Sequence, residues 1–475
     1  MPYLYDELRN YAKSDYYPFH MPGHKRRLGE FMNPIEADIT EIEGFDNLHH
    51  AEGILKEAKE RAAAVYKSGN TYFLVNGSTA GILSAVSACT SIGGKILMAR
   101  NCHKAVYHSV LIRELDAVYI YPQQEQVIGL NCGLSPEKIK ELLITVPDIQ
   151  AVIITSPSYD GVVSDVKKIA DICHSYQKPL IVDEAHGAHF GFHPYFPENS
   201  IGKGADIVIH SLHKTLPAFT QTGLIHLNSS LVDKEVLERY LGIYQSSSPS
   251  YLLMAGIDQC IRMLEESRDR LFGELVENLE QFRRNAREWN RVGVAGKEEL
   301  AGEKDVVDLD LSKLIIYIKN GGMSGNELYD ELLHHYHLQL EMAAGDYALA
   351  LTSIGDDRDG FERLHQALSD IDRRLMADTP VILEKRSYAV TENQSEISIS
   401  QAVDMKMERI LLENAAGRIA GEFIYLYPPG IPLIVPGEKI SGEFVENVLQ
   451  YREKGFSLQG MKDYSGEYLE VLKDV

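Results

Sequence analysis

The sequence of 475 residues is short of several things, and each shortage closes off a class of protein. Its five cysteines (Cys89, Cys102, Cys132, Cys173, Cys260) are scattered, odd in number and without a CxxC pair. That argues against a disulfide framework or a zinc cluster and for a reducing compartment. No run reaches the roughly eighteen apolar residues needed to span a bilayer. The first turns, through Asp6, Glu7 and Arg9, carry charge where a signal peptide would be apolar, so a cytoplasmic location is expected. Positive charge is also scarce. Against 69 acidic residues stand 47 basic ones, for a formal charge of −22. Such a surface repels nucleic acid and draws in cationic small molecules.

What is present is an ordinary globular composition, 44% hydrophobic and 24% charged, with no internal repeats and no low-complexity linker. A short helix is expected over about residues 3–13. An amphipathic helix follows over Ala51–Lys67, its apolar residues at helical spacing. Strands are expected at TYFLV (residues 71–75), KILMA, AVYIY, AVIIT, PLIVD and DIVIH, most of them separated by helical segments. Apolar runs of four to six residues without polar interruption fit parallel strands covered on both faces. The alternation predicts a doubly wound α/β sheet with ligands at the carboxyl ends of its strands. Beyond about residue 250 comes a long charged helical stretch, then a mixed α/β segment from Val306 to Met376. A C-terminal part follows, with a proline-rich turn at Tyr427–Pro432. The boundaries expected are a 1–45 N-terminal segment, a 46–270 large domain, a 271–376 small α/β domain and a 377–475 C-terminal domain.

Chemistry concentrates at the strand ends. Asp183 closes the run Leu180-Ile181-Val182, and Lys214 follows the strand ending at His210, so carboxylate and amine emerge at one sheet edge. Pyridoxal 5′-phosphate (PLP) enzymes need this pair. A lysine forms the Schiff base, and a carboxylate beside the pyridine nitrogen keeps that nitrogen protonated. Gly77-Ser78-Thr79 lies between a strand and a helix, where backbone N–H groups and the positive end of a helix dipole can hold a phosphate. Ser211 and His213 flank the lysine as further donors, and His103 stands where it can stack on the ring. Each element alone has a plainer reading, as a helix cap, a turn residue or a solvated lysine. Their conjunction, in this order, carries the inference.

Two other readings of the middle segment fail. Asp183-Glu184-Ala185-His186 spells the DEAH string of nucleotide-hydrolysing helicases, but the Gly-Lys pairs at 94–95, 202–203 and 296–297 are followed by Ile96, Gly204 and Glu298, so no phosphate-binding GxxxxGK[ST] loop exists. His186, His189 and His193 with Asp183 could meet on an irregular loop, but no HExxH or facial-triad pattern appears among them, and no metal is expected.

Together with Phe19-His20-Met21-Pro22-Gly23-His24-Lys25, Asn101-Cys102-His103-Lys104, Val182–His189, Ser211–Lys214, Ser247–Tyr251, Tyr427–Pro432 and Pro436-Gly437-Glu438, these residues resemble the bacterial ornithine/lysine/arginine decarboxylases over nearly the whole chain. The resemblance implies a PLP-dependent transferase fold of the aspartate aminotransferase type (fold type I), with a mostly parallel sheet in the large domain and an α+β C-terminal region. It implies Lys214 as the Schiff-base lysine, Asp183 as the pyridine partner and His103 as the stacking residue. Gly77, Ser78, Thr79, Ser211 and His213 would surround the phosphate. Ala185 would pack under the ring, and His186 would lie by the substrate carboxylate. Ser246 and Ser248 would reach the phosphate of a neighbouring subunit in a homodimer with shared active sites. The expected reaction is decarboxylation of a basic L-amino acid to a diamine or agmatine. Many family members carry an extra N-terminal domain for which the sequence before residue 20 leaves no room, which points to a dimer.

Transamination on the same fold is the rival reaction, with Arg373, Arg374, Arg386 or Arg418 available to hold a substrate carboxylate. The substrate's distal cation needs an acidic or carbonyl partner, and the acidic segment Glu41–Asp46 is one candidate to supply it across the dimer.

Overall fold

The computed structural model describes residues 4–27, 33–123, 125, 128–300, 303, 305–377, 392–427, 431–453 and 457–473. Of the features anticipated above, Arg386 and the Pro428-Pro429-Gly430 tip lie outside these residues.

The apolar runs form one seven-stranded sheet. Its strands are β1 (Asn70–Leu74), β2 (Lys95–Ala99), β3 (Asp116–Ile120), β4 (Ile149–Thr155), β5 (Leu180–Asp183), β6 (Ile207–His210) and β7 (Gly223–Leu227). In space they run β1-β7-β6-β5-β4-β2-β3. All neighbours are parallel except β7, which is antiparallel to both β1 and β6. Strands β4 to β6 are almost wholly buried, as expected of strands with helices on both faces. The register places Thr155, Asp183 and Ile209 side by side at the carboxyl edge.

Strand β7, GLIHL, is absent from the expected set because His226 interrupts its apolar run. The interruption is buried and bonded. His226 Nε2 lies 3.1 Å from His210 Nδ1, and His210 Nε2 lies 2.8 Å from Glu184 Oε1. A polar residue inside a strand is tolerated when its hydrogen bonds are met within the core.

Helix α1 (Gly77–Cys89) follows β1, and α2 (Lys104–Ile112) follows β2. The helix Ile54–Tyr66 buries Leu55, Ala58, Ala62 and Tyr66 on one face, in keeping with its expected amphipathic pattern. A 36-residue helix, Tyr251–Ala286, runs on from the large sheet to a four-stranded antiparallel sheet. That second sheet is ordered Val292–Val294, Lys313–Ile318, Tyr347–Leu351, Met342–Ala344. The residues from 392 onward build their own apolar cluster around Ile424, Ile434, Val448 and Leu469.

The N-terminal segment is a strap between regions. Tyr17–Phe19 pairs in parallel with Leu338–Leu340, and Lys25 Nζ donates to the Leu351 carbonyl at 2.7 Å. Between these anchors, Gly23 N donates to the His213 carbonyl at 2.8 Å, beside Lys214. A side chain at Gly23 would lie 2.7 Å from the Leu216 carbonyl oxygen, so only glycine permits this approach.

Candidate active site

A cavity of about 220 Å³ opens at the carboxyl edge of the sheet. Of the anticipated residues, Ser78, His103, Asp183, Ala185, His186 and Lys214 line it. Ser78 comes from the first turn of α1, His103 from the start of α2, and Lys214 from the short helix after β6. Asp183, Ala185 and His186 come from the end of β5 and the turn after it, so only the fold brings the set together.

Asp183 ends β5 and is 3% exposed. Burial pushes its carboxyl up from the usual range, while the Lys214 charge and the Ala185 N–H, which donates to Oδ1 at 3.1 Å, work against that. Lys214 sits in the short helix Leu212–Thr215 directly after β6. Burial lowers its pKa, with Asp183 opposing, and a lysine so shifted is the better nucleophile near neutral pH. Its Nζ is 2.9 Å from His186 Nε2. His186 is held well below its ordinary pKa by burial and by the charges of Lys214 and Lys313. A neutral His186 accepting from Lys214 carries its proton on Nδ1, and that buried nitrogen has no protein partner.

His103 caps α2, its Nδ1 accepting from Ala105 N at 3.2 Å. Burial, followed by the nearby Lys214, lowers its pKa to about 3, so the ring is neutral at physiological pH.

The Gly77-Ser78-Thr79 turn joins β1 to the start of α1. Gly77 has φ +75°, a conformation open to glycine. Asn76 precedes α1 without a side-chain cap, so the first turn of the helix is not closed by its own N-cap. Ser211 Oγ donates to Ser78 Oγ at 2.8 Å, joining the two hydroxyls. Thr79 is exposed on that turn. His213 is bound to the Thr222 carbonyl through Nδ1 at 2.9 Å, and its pKa is lowered to about 4, chiefly by burial. Ser246 and Ser248 are exposed and bonded to each other, and Ser246 N donates to Asn76 Oδ1 at 3.1 Å, next to the same turn.

These residues suit PLP on a structural ground. The cavity presents a buried carboxylate, a buried amine and an uncapped helix start. In addition, His186 Nδ1, Asn101 Oδ1 and Asn131 Oδ1 are buried without partners, and all three residues are in its wall. Unpaired buried polar atoms are costly, and a polar ligand relieves that cost.

Several lining residues escaped sequence reasoning. Tyr159 and Asp160 follow β4 at the same edge as Asp183, so the strand-end argument applied to Asp183 reaches them too. Glu341 lies in the bend between Leu338–Leu340, which pairs with the strap, and the second-sheet strand Met342–Ala344, and gave no local signal. Its Oε1 accepts from Tyr159 Oη at 2.6 Å and its Oε2 from Met21 N at 2.9 Å, holding the carboxylate over the cavity. Behind the wall, Lys313 Nζ donates to Asp310 Oδ2 at 2.6 Å and to the His186 carbonyl at 3.3 Å.

Other candidates are engaged elsewhere. His189 bonds Asp310, and His193 accepts from Tyr195 N. Arg373, Arg374 and Arg418 pair with Asp370, Glu331 and Glu408, and none is among the cavity-lining residues.

The acidic segment also has a local task. Asp46 accepts from the backbone N–H groups of Asn47, Glu52, Gly53 and Leu55, closing the start of helix Ile54–Tyr66. Burial opposes ionisation there, but these donors outweigh it and bring the pKa to about 2. Asp46→Ala is therefore expected to cost about 1–2 kcal/mol of stability, as for a lost helix cap. Because the folded pKa is the lower one, the contribution is full above the unfolded value near 4 and fades as pH falls toward 2. Urea melts of both proteins at pH 7 and pH 3 check it; an equal gap at the two values would refute the assignment.

The fold and the cavity define the class as a fold type I, PLP-dependent architecture. Structures of that fold include a Sphingomonas wittichii serine palmitoyltransferase, at a TM-score of 0.54 and 15% identity, over 68% of this chain and 77% of that one. The likeness to Escherichia coli constitutive lysine decarboxylase is stronger, with a TM-score of 0.78 at 22% identity over 99% of this chain and 81% of that one. Residues 2–308 match the Orn/Lys/Arg decarboxylase major domain, and residues 383–459 match the C-terminal domain of the same family. An arginine decarboxylase of Bacillus subtilis is 30% identical over 99% of this chain and 98% of its own length. The chain belongs to the Orn/Lys/Arg decarboxylase family and is a PLP-dependent amino acid decarboxylase, which sets transamination aside. Among the described residues no helix is long and apolar enough to cross a membrane.

Proposed function

We propose that this enzyme decarboxylates L-arginine to agmatine, with Lys214, Asp183 and His103 holding PLP and Glu341 receiving the substrate's guanidinium. The carrying observation is that one cavity wall holds the Lys214 amine beside Asp183 while Glu341 lies on the same cavity, its carboxylate oriented by Tyr159 and Met21. The 30% identical arginine decarboxylase supports arginine among the basic amino acids.

PLP, when bound, supplies an electron sink for the pair left behind as CO₂ departs. The protein's part is position and protons. Asp183 offers a buried carboxylate to a ring N–H, and neutral His103 offers a flat face. The first turn of α1, with Ser78 and Ser211, offers donors to a phosphate. Thr79 and His213 stand beside them, and Ser246 and Ser248 would meet a partner subunit's phosphate in a homodimer. Ala185 keeps the floor of the cavity small. His186 places Nδ1–H where a substrate carboxylate can be oriented, and its Nε2 receives a proton from Lys214 or returns one. Product agmatine fits a role in polyamine formation in the cytoplasm.

Carbon dioxide release from arginine, lysine and ornithine, with products identified by mass spectrometry, tests the reading; lysine or ornithine turning over faster than arginine would overturn the substrate choice. Glu341→Gln retains a shape that can meet Tyr159 and Met21 but removes the charge. Losing one partner of a desolvated charge pair is expected to raise KM for arginine about 10- to 100-fold, with kcat changing less. An unchanged KM in steady-state assays would remove Glu341 from substrate binding.

A further inference from the structure

The buried pair Arg100–Glu438 is not used by the chemistry above. Both side chains are 0% exposed, with Arg100 Nη1 donating to Glu438 Oε1 at 2.6 Å and Nη2 to Oε2 at 2.9 Å. Arg100 directly follows β2, whereas Glu438 belongs to the C-terminal region, in the Pro436-Gly437-Glu438 stretch. The residues following Arg100 are those of the site. Asn101 and His103 line the cavity, and Asn101 Oδ1 is buried there without a protein partner.

Residue 100 is fixed on every side. Its N–H donates to the Ile120 carbonyl at 2.8 Å, its carbonyl accepts from Tyr107 Oη at 2.7 Å, and its guanidinium lies 4.9 Å from the Tyr119 ring centroid. Glu438 is fixed likewise, since Oε2 also accepts from Val435 N at 3.1 Å and Asn393 Nδ2 at 3.2 Å. A forked arginine–carboxylate pair defines angle as well as distance. A buried pair adds little net stability over apolar side chains of similar size, so stability does not account for it. Geometry does.

We propose that the C-terminal region acts on the active site through Arg100 and Glu438, two positioning residues that set the Asn101–His103 turn against the cavity. The inference rests on His103 adjoining the cofactor, as read above. It gives the C-terminal region a catalytic consequence although, among the described residues, the region contributes no side chain to the cavity wall.

The test is the double variant Arg100→Met/Glu438→Met, which strands no charge. Hydrogen exchange by mass spectrometry on the cofactor-free protein reads the turn directly, independent of PLP. Amides of residues 100–106 are expected to exchange about tenfold faster, while those of helix Tyr251–Ala286 keep wild-type protection. In the loaded enzyme, kcat per bound PLP is expected to fall about tenfold, more than KM for arginine changes, with PLP binding weakened in parallel. Wild-type exchange over 100–106 together with wild-type kcat would overturn the proposal and leave the pair a mere tether. Should the double variant not fold, Arg100→Lys retains the charge and loses the fork. Its expected effects are about threefold in the same directions, and none at all would also overturn the proposal. His103→Ala separates the two readings. If it leaves PLP binding intact, the role of His103 falls, while the exchange measurement still decides whether Arg100 and Glu438 hold the turn.

Discussion

Lys214→Ala is expected to lower kcat/KM for arginine by about three orders of magnitude or more, with loss of the visible absorbance of the PLP–lysine linkage. The size follows from how many tasks meet at one atom. Lys214 Nζ is the amine on the cavity wall beside Asp183, and it lies 2.9 Å from His186 Nε2. Alanine removes the nucleophile and the proton donor to His186 together, and leaves His186 with a second unpartnered nitrogen. Losses of groups that act as a unit are not additive, so Lys214→Ala/His186→Ala should be little worse than Lys214→Ala alone. Lys214→Arg retains a cation near Asp183 without a usable nucleophile and is expected to be as inactive as the alanine variant. Steady-state assays with an absorbance spectrum of each variant check this. Turnover within tenfold of wild type, or a surviving band, would sink the assignment.

Asp183→Asn should follow, with a loss of about two to three orders of magnitude in kcat. The exchange is nearly isosteric, and the amide oxygen can still accept from Ala185 N, so the fold should survive. What disappears is a buried negative charge. Without it, the ring nitrogen of bound PLP loses its reason to stay protonated. The change also reaches Lys214. Burial already lowers that lysine's pKa and Asp183 opposes the fall, so the asparagine variant should shed the lysine proton at still lower pH. Titrating Lys214 in the cofactor-free protein, by pH-dependent reaction with an amine reagent and peptide mapping, checks the direction; a rise would contradict it. An N-methylated cofactor analogue, whose ring is permanently cationic, should restore part of the lost activity to Asp183→Asn.

The sequence by itself determined the sheet and which side chains stand at its strand ends. Short apolar runs alternating with helical segments read as buried strands, and residues at or just after the end of such a run emerge at the sheet edge; Asp183 ends one and Lys214 closely follows another. The Gly77-Ser78-Thr79 turn was legible for the same reason, since a strand–turn–helix junction is local in the chain. Strand β7 was hidden because His226 interrupts its apolar pattern, and only the core shows His226 bonded to His210. Tertiary structure alone decided what depends on distant segments. Glu341, 127 residues beyond Lys214, reaches the cavity because its strand neighbours lie beside the N-terminal strap; in the acidic segment, Asp46 closes the start of helix Ile54–Tyr66. Likewise Arg100 and Glu438 are ordinary charges in the sequence, 338 residues apart, and become a single buried fork only when the C-terminal region docks. Spacing along a chain predicts which side chains share a strand or a turn. It carries no information on which charges lose their water together, and that is set by packing.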